Sequence, residues 1–224
     1  MYFSDQDTYI RKCGYNALGN IYQQKPELKA NILQLLRILL EDENELLRQT
    51  AAYTLGEIGK KDAEAILDML ASALHDTHYK VRNAVIGTLK QMGQKNPEAV
   101  LNFSAEFIND PDPEIRRVII HGLELRGRTH PGDVLPLLKS IQFEKAKRPH
   151  QMLVHVLGQI SYKRNCLETV AKELKTWNNT EIVAEALQEI ILVHKSYEKF
   201  SSKSVEEATE YLKSELPEFS YNIE

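Results

Sequence analysis

The 224-residue sequence predicts an all-α solenoid of stacked helix pairs, and three observations carry that reading. An Asp followed six residues later by an Arg recurs along the chain: Asp5 and Arg11, Asp42 and Arg48, Asp76 and Arg82, Asp110 and Arg116, with the Arg residues 37, 34 and 34 apart. A fixed period in this range marks a helical repeat array, whose units cannot bury their apolar faces alone and must stack. Each Arg also opens an apolar stripe of helical spacing, such as Leu47, Ala51, Leu55 and Ile58. Finally, Gly59, Gly93 and Gly127 mark successive helix ends at the same period.

Taken in order, residues 5–22 read as an inner helix with Ile10, Cys13, Ala17, Leu18 and Ile21 on one face. As an N-terminal cap it is expected to use Tyr2, Phe3, Tyr9, Tyr15 and Tyr22 to cover the open end of the core. Pro26 suits the first turn of the next helix, LKANILQLLRILL. The second copy pairs LLRQTAAYTLGEIG with AEAILDMLASAL, and its Ala51, Ala52 and Gly56 suit close helix approach. The third pairs VRNAVIGTLKQMG with EAVLNFSAEFI. In the fourth, Asp110 or Asp112 caps the inner helix, Pro113 takes its first position and Glu114 meets the positive end of its dipole. Pro136 is expected to bend or restart the outer helix of that copy.

From Phe143 the regularity weakens. Pro149 and His150 replace the aliphatic–Arg pair, although Met152, Leu153, Val156, Leu157 and Ile160 continue the stripe. Pro149 is expected to delay the helix start and leave Lys145, Lys147 and Arg148 on the preceding loop. A sixth copy, EIVAEALQEIILVHKSY, leads through the linker SSKS to VEEATEYLKSELPEF, an acidic helix that closes the C-terminal end. The repeats fall near 5–40, 41–74, 75–108, 109–142, 143–176 and 177–216, in one domain over 1–224.

Apolar residues at 42% supply a core, and charged residues at 27% argue against extended disorder. The net charge of -4 is unevenly spread: residues 116–175 hold 12 basic and 5 acidic side chains, residues 176–224 hold 4 and 10. A positive block between acidic ends steers an anionic partner, or is a set of solvated turn residues. Cys13 and Cys166 match no metal or redox spacing, which predicts a reducing compartment. With no apolar run for a signal peptide or membrane span, the expectation is a cytoplasmic, soluble monomer.

Chemistry-bearing patterns are sparse. His75, Asp76 and His78 crowd one turn, but Asp76 is better spent on a helix cap and His78 on solvent. There is no HExxH, CxxC or phosphate-cradling glycine loop, so no catalytic, metal or cofactor residue is assigned. The candidate binding surface is basic: Arg117, Arg126, Arg128, Lys145, Lys147, Arg148, Lys163 and Arg164. Arg117, offset from Arg116, is expected on the concave face, while Lys163 and Arg164 fall one repeat on from the turn holding Arg128 and His130.

The pattern Asp-x-x-x-x-(Leu/Val/Ile)-Arg-x-x-Ala-x-x-x-Leu-Gly, fullest over Asp42–Ile58, resembles HEAT and HEAT-like repeats across residues 5–127. Over 143–215 the likeness rests on period and hydrophobicity. The resemblance implies right-handed superhelical stacking and a non-enzymatic scaffold that binds a macromolecule along its concave face, a protein first and nucleic acid second. DPDPEIRRVIIHGLELRGR is also similar to repeats of HEAT-like DNA glycosylases for alkylated bases, which implies repair activity as a further alternative. That family's carboxylate flanked by Trp cannot be placed here, because the one Trp, Trp177, lies in a turn. The structural ladder is expected to be Asp5, Arg11, Asp42, Arg48, Asp76, Arg82, Asp110 and Arg116, each Asp capping a helix and meeting the Arg of a neighbouring repeat.

Overall fold

A computed structural model describes residues 2–221, which among themselves form helices and connecting turns with no strand. The architecture is an all-α solenoid of stacked helix pairs, and the chain divides into two compact units, Met1–Phe103 and Ser104–Glu224. In the first unit, α1 (Thr8–Gln24), α3 (Glu45–Gly59) and α5 (Tyr79–Gly93) stack side by side as one layer. A second layer holds α2 (Lys29–Leu40) and α4 (Leu67–Leu74). Helix α6 (Pro97–Phe107) runs across the division between the units. In the second unit, α7 (Pro113–Gly127), α9 (Lys147–Gln159) and α11 (Thr180–Ser196) form the first layer. There α8 (Pro131–Ser140) and α10 (Cys166–Leu174) form the second layer, and α12 (Val205–Glu215) packs on α10 and α11.

Small residues set the spacing of the first layer. A Cβ at Gly19 of α1 would stand 2.5 Å from the Glu57 Cβ of α3, and one at Gly56 would stand 2.9 Å from Thr88 Oγ1 of α5. The Thr88 hydroxyl donates across that contact to the Ala52 carbonyl at 2.9 Å. First-layer helices thus nearly touch backbone to backbone, whereas second-layer helices pack less closely. Beneath both layers, Leu55, Ile58, Leu70 and Leu89 in one unit and Leu123, Val156, Leu157 and Ile190 in the other are fully buried.

The repeated Asp does not itself cap the helix. Its Oδ1 accepts the N–H of the residue two on, from Asp5 to Asp7, Asp42 to Asn44, Asp76 to His78 and Asp110 to Asp112, each at 2.7–2.8 Å. That Asx turn sets up the true N-cap: Asp7, Asn44 and Asp112 each accept from the second helical N–H with a side-chain oxygen, and His78 does so with Nδ1. His78 is therefore a cap rather than a solvent-facing side chain.

The Arg of each pair folds back onto the same turn. Arg11, Arg48, Arg82 and Arg116 each donate an NH1 hydrogen to the carbonyl six residues earlier, at 2.6–2.7 Å. Arg48 also forks onto Asp76 at 2.7 and 3.1 Å. Arg116 forks onto Glu144, at 2.5 and 2.9 Å, and Glu144 stands 34 residues after Asp110. His150 takes the Arg place, with Nδ1 3.2 Å from the Glu144 carbonyl and Nε2 2.7 Å from Glu185 Oε2. The fifth copy thus keeps the device in other residue types.

Three further expectations are corrected. Helix α9 begins at Lys147, so Lys147 and Arg148 lie in its first turn and not on a loop. Pro149 is tolerated there because its missing N–H would have had no intrahelical acceptor. Of the two outcomes expected at Pro136, the restart is excluded, since helix α8 runs through it. Of the aromatic residues expected over the N-terminal end, Tyr15 instead stacks on Tyr53 at 5.3 Å, and Tyr22 is buried with its hydroxyl donating to Asp62. Tyr9 is exposed.

Candidate interaction face

The exposed edge of the first layer follows from the 34-residue period. On α7, α9 and α11, positions one residue past the ladder carry Arg117, Gln151 and Glu185, and positions one helical turn later carry His121, His155 and Glu189. Helices in register bring these rows together. Arg117 is mostly buried, and its Nε donates to Glu114 Oε2 at 3.0 Å. From the next helix Arg148 reaches the other oxygen of Glu114 at 2.6 Å. One carboxylate therefore ties α7 to α9.

A turn further along, Glu124 is only 5% exposed and gathers three partners. Arg128 meets its Oε1 at 2.7 Å, His121 Nε2 lies 3.2 Å from its Oε2, and His155 Nε2 lies 4.0 Å from the same oxygen. His155 Nδ1 lies 3.5 Å from Glu189 Oε1 on α11, and the two imidazoles meet edge to face at 6.3 Å. Arg128 also donates to Gln159 of α9. Leu192 follows on α11, at the position of Glu124 and Gly158, and is 53% exposed. Among the described residues no group of three or more His, Cys, Asp or Glu is arranged to hold a metal ion.

The remaining basic residues lie elsewhere. Arg126 turns to α8, where Nε and NH2 share Asp133 Oδ2 at 2.8 and 2.6 Å. Lys163 places its ammonium 4.8 Å from the Tyr162 ring centroid, beside exposed Arg164 in the turn after α9. Exposed Lys145 and Lys147 sit at the other end of α9, roughly 20 Å away for a helix of this length. The structure brings Arg117, Arg128 and Arg148 into contacts that join α7 and α9, turns Arg126 to the second layer, and leaves Lys145, Lys147, Lys163 and Arg164 at the two ends of α9.

Electrostatics follow the same division. Burial pushes the Glu144 carboxyl up, but the Arg116 guanidinium and the Ala146 N–H outweigh it and hold the group below the usual carboxylate range. Burial lowers His150, but the Glu185 hydrogen bond and the Glu144 carbonyl outweigh it and raise the imidazole above its ordinary value. The cluster of His121, Glu124, His155 and Glu189 is not visible among neighbours along the chain, only by repeat position. Counting by 34 from Tyr53 through Gly87 reaches His121, His155 and Glu189.

This architecture is that of a helical repeat solenoid, and residues 32–103 match the model of the HEAT repeats family. Among solved structures, smu.31 from Streptococcus mutans UA159 is 17% identical with a TM-score of 0.56, covering 79% of this chain and 97% of that one. AlkD2 from Streptococcus mutans is also 17% identical, with a TM-score of 0.58 over 90% of this chain and 94% of that one. The Pds5–Scc1 complex contains a chain 15% identical, with a TM-score of 0.52 over 96% of this chain and 34% of that one. At these identities the likeness is one of fold. No curated protein sequence matches the chain.

Proposed function

We propose that this chain is a non-catalytic scaffold that binds a protein partner along the first-layer face of residues 104–224. One observation carries the reading: the cations of that face are matched in place by carboxylates. Arg117 and Arg148 share Glu114, Arg128 meets Glu124, and Glu185 and Glu189 line the adjoining helix. A phosphate backbone would meet those carboxylates as readily as the arginines and be repelled. A protein surface of mixed charge and some apolar area, with Leu192 as an anchor, suits the strip better. The chain of the Pds5–Scc1 complex puts the same fold to work in a protein assembly.

In this reading the protein acts in the cytoplasm, in keeping with two unpaired cysteines, exposed Cys13 and buried Cys166. No helix among the described residues is long and apolar enough to cross a membrane.

A photocrosslinker at position 192 is expected to trap a discrete protein, and Arg148→Glu with Leu192→Asp to lose it while the helical signal stays intact. Both side chains are well exposed, and because Arg148→Glu also gives up the tie to Glu114, an unchanged Tm is the control that separates lost binding from lost packing. Salt-dependent retention of duplex DNA, lost on reversing Lys145, Lys147, Lys163 and Arg164, would instead favour the nucleic-acid reading. Release of an alkylated base by excess purified protein would overturn the non-catalytic one.

A further inference from the structure

One face of unit 1 is built largely of side-chain amides. In the first layer, the positions 1, 5, 9 and 12 residues past each ladder Arg share one arc of their helix. On α1, α3 and α5 none of these twelve positions is buried. Seven of them are amides: Asn16, Asn20 and Gln23 on α1, Gln49 on α3, and Asn83, Gln91 and Gln94 on α5. The same twelve positions of α7, α9 and α11 hold two, Gln151 and Gln159. The repeat position itself therefore does not call for an amide. Charge is sparse there: Glu57 and Lys60 are tied together at 2.7 Å, and Lys12 is the other charged residue of the set.

Amides on this scaffold meet main chain. Gln23 and Gln49 each donate to a carbonyl of the next first-layer helix, Ile58 at 3.5 Å and Lys80 at 3.4 Å. In the second unit, Gln142 Oε1 accepts the successive N–H groups of Asn178 and Asn179 at 2.7 and 3.0 Å. The side chains of Asn16, Asn20, Gln91 and Gln94 make no hydrogen bond among the described residues, so each keeps donors and acceptors on offer. N–H and C=O groups alternating at short intervals are those of an extended main chain, whereas a helix has already paired them internally. A phosphate backbone offers acceptors alone and needs cations that this face lacks. We propose that this face of unit 1 binds an extended peptide segment of a partner protein through the main-chain N–H and C=O groups of that segment. Tyr53 stacks on Tyr15 at 5.3 Å, and its ring edge lies 3.3 Å from where a Gly87 Cβ would stand, which adds a fixed aromatic surface beside the amides. Three adjacent helices span roughly 16–20 Å between their outer axes, which about five or six extended residues cross. The inference concerns unit 1 alone and does not depend on the face of residues 104–224.

The probes are linear decapeptides selected on the full chain from a random displayed library. They are expected to shift the side-chain amide resonances of Asn16, Asn83, Gln91 and Gln94 and to show no helical signal when bound. N-methylation of alternate peptide nitrogens removes N–H donors while keeping every side chain, and is expected to weaken binding at least tenfold. Asn16→Ala with Gln91→Ala is expected to do the same with Tm retained, since Ala favours helix over either amide. Asn20→Ala with Gln94→Ala serves the same purpose should the first pair unfold. A selection that yields no binder overturns the proposal, as do shifts confined to other residues or a peptide that is helical when bound. Binding that N-methylation leaves unchanged also overturns it, by assigning recognition to peptide side chains. Retention of an oligouridine, lost with the same Ala pair, overturns it in favour of nucleic-acid bases.

Discussion

The second and fifth copies solve one mechanical problem with different chemistry. In the second, Arg48 spends one nitrogen on the carbonyls of Asp42 and Glu43 and two on Asp76, so a permanent charge in a planar fork joins α3 to the turn before α5. In the fifth, His150 has two ring nitrogens, one at the Glu144 carbonyl and one at Glu185. Both can donate only when the ring is protonated. The turn is held in each case, but only the second copy holds it with a cation that does not titrate between neutral and alkaline pH. Repetition constrains what a residue must do, and leaves open which residue does it.

The largest expected effect comes from removing the fork. Asp76 is nearly buried, so Arg48→Ala leaves its carboxylate without a countercharge and should cost about 2–4 kcal/mol. Arg116→Ala should cost a similar amount through Glu144, whereas His150→Ala, facing a half-exposed Glu185, should cost under about 1 kcal/mol. Urea unfolding of the three variants measures the ranking. Equal losses at positions 48 and 150 would erase the distinction between the two copies.

A smaller contrast lies at helix ends. Gly59 and Gly127 occupy the same repeat position, and a Cβ at either meets an atom at 2.6 Å. At Gly59 that atom is Met92 Sδ, the far end of a chain with several free torsions; at Gly127 it is Ile160 Cγ2, with Val134 Cγ2 at 2.9 Å. Gly→Ala gains up to about 1 kcal/mol of helix propensity at either place. Gly59→Ala should therefore be neutral or slightly stabilising, while Gly127→Ala should lose about 1–2 kcal/mol to overpacking. A Tm for Gly127→Ala at or above the parent would show that the stiff side chains yield after all.

Much of this was legible in the sequence, for a physical reason. Stacking imposes a period, and the period exposes Asp, Arg and the apolar stripe together. What escaped was function held by unlike residues. Glu144 stands where the period demands a carboxylate, but as a Glu it breaks the Asp pattern. The basic block of residues 116–175 looked isolated because Glu114 and the α11 carboxylates lie outside that window, and helix packing brings them alongside. The N-cap went to the residue two after each Asp, since an Asx turn uses the Asp oxygen before the helix begins. Chain distance hid the α11 carboxylates, and repeat distance reveals them.

The smallest effect, and the most specific to the second unit, is its pH dependence. Two histidines pull in opposite directions. His150 sits among Glu144, Glu181 and Glu185, which raise it despite burial, so its folded value lies above the unfolded ~6.5. Its contribution is complete below ~6.5 and is lost as pH rises through that higher folded value. His194 is fully buried, with Nδ1 at the Ile190 carbonyl and no polar partner for Nε2. Burial is the main cause that lowers it, so stability is kept above ~6.5 and lost as pH falls through the depressed folded value. Stability should thus peak near neutrality and decline on both sides. Each arm should be shallower than the ~1.4 kcal/mol per pH unit of one whole proton, and the His150 arm is further weakened by solvent around Glu185. Urea midpoints from pH 5 to 9 should show His150→Gln flattening the alkaline arm and His194→Gln the acid one. His150→Arg should restore the permanent link of the second copy and stay flat to pH 9. An alkaline decline that survives His150→Arg would place the titrating group elsewhere and leave the fifth copy as fixed as the second.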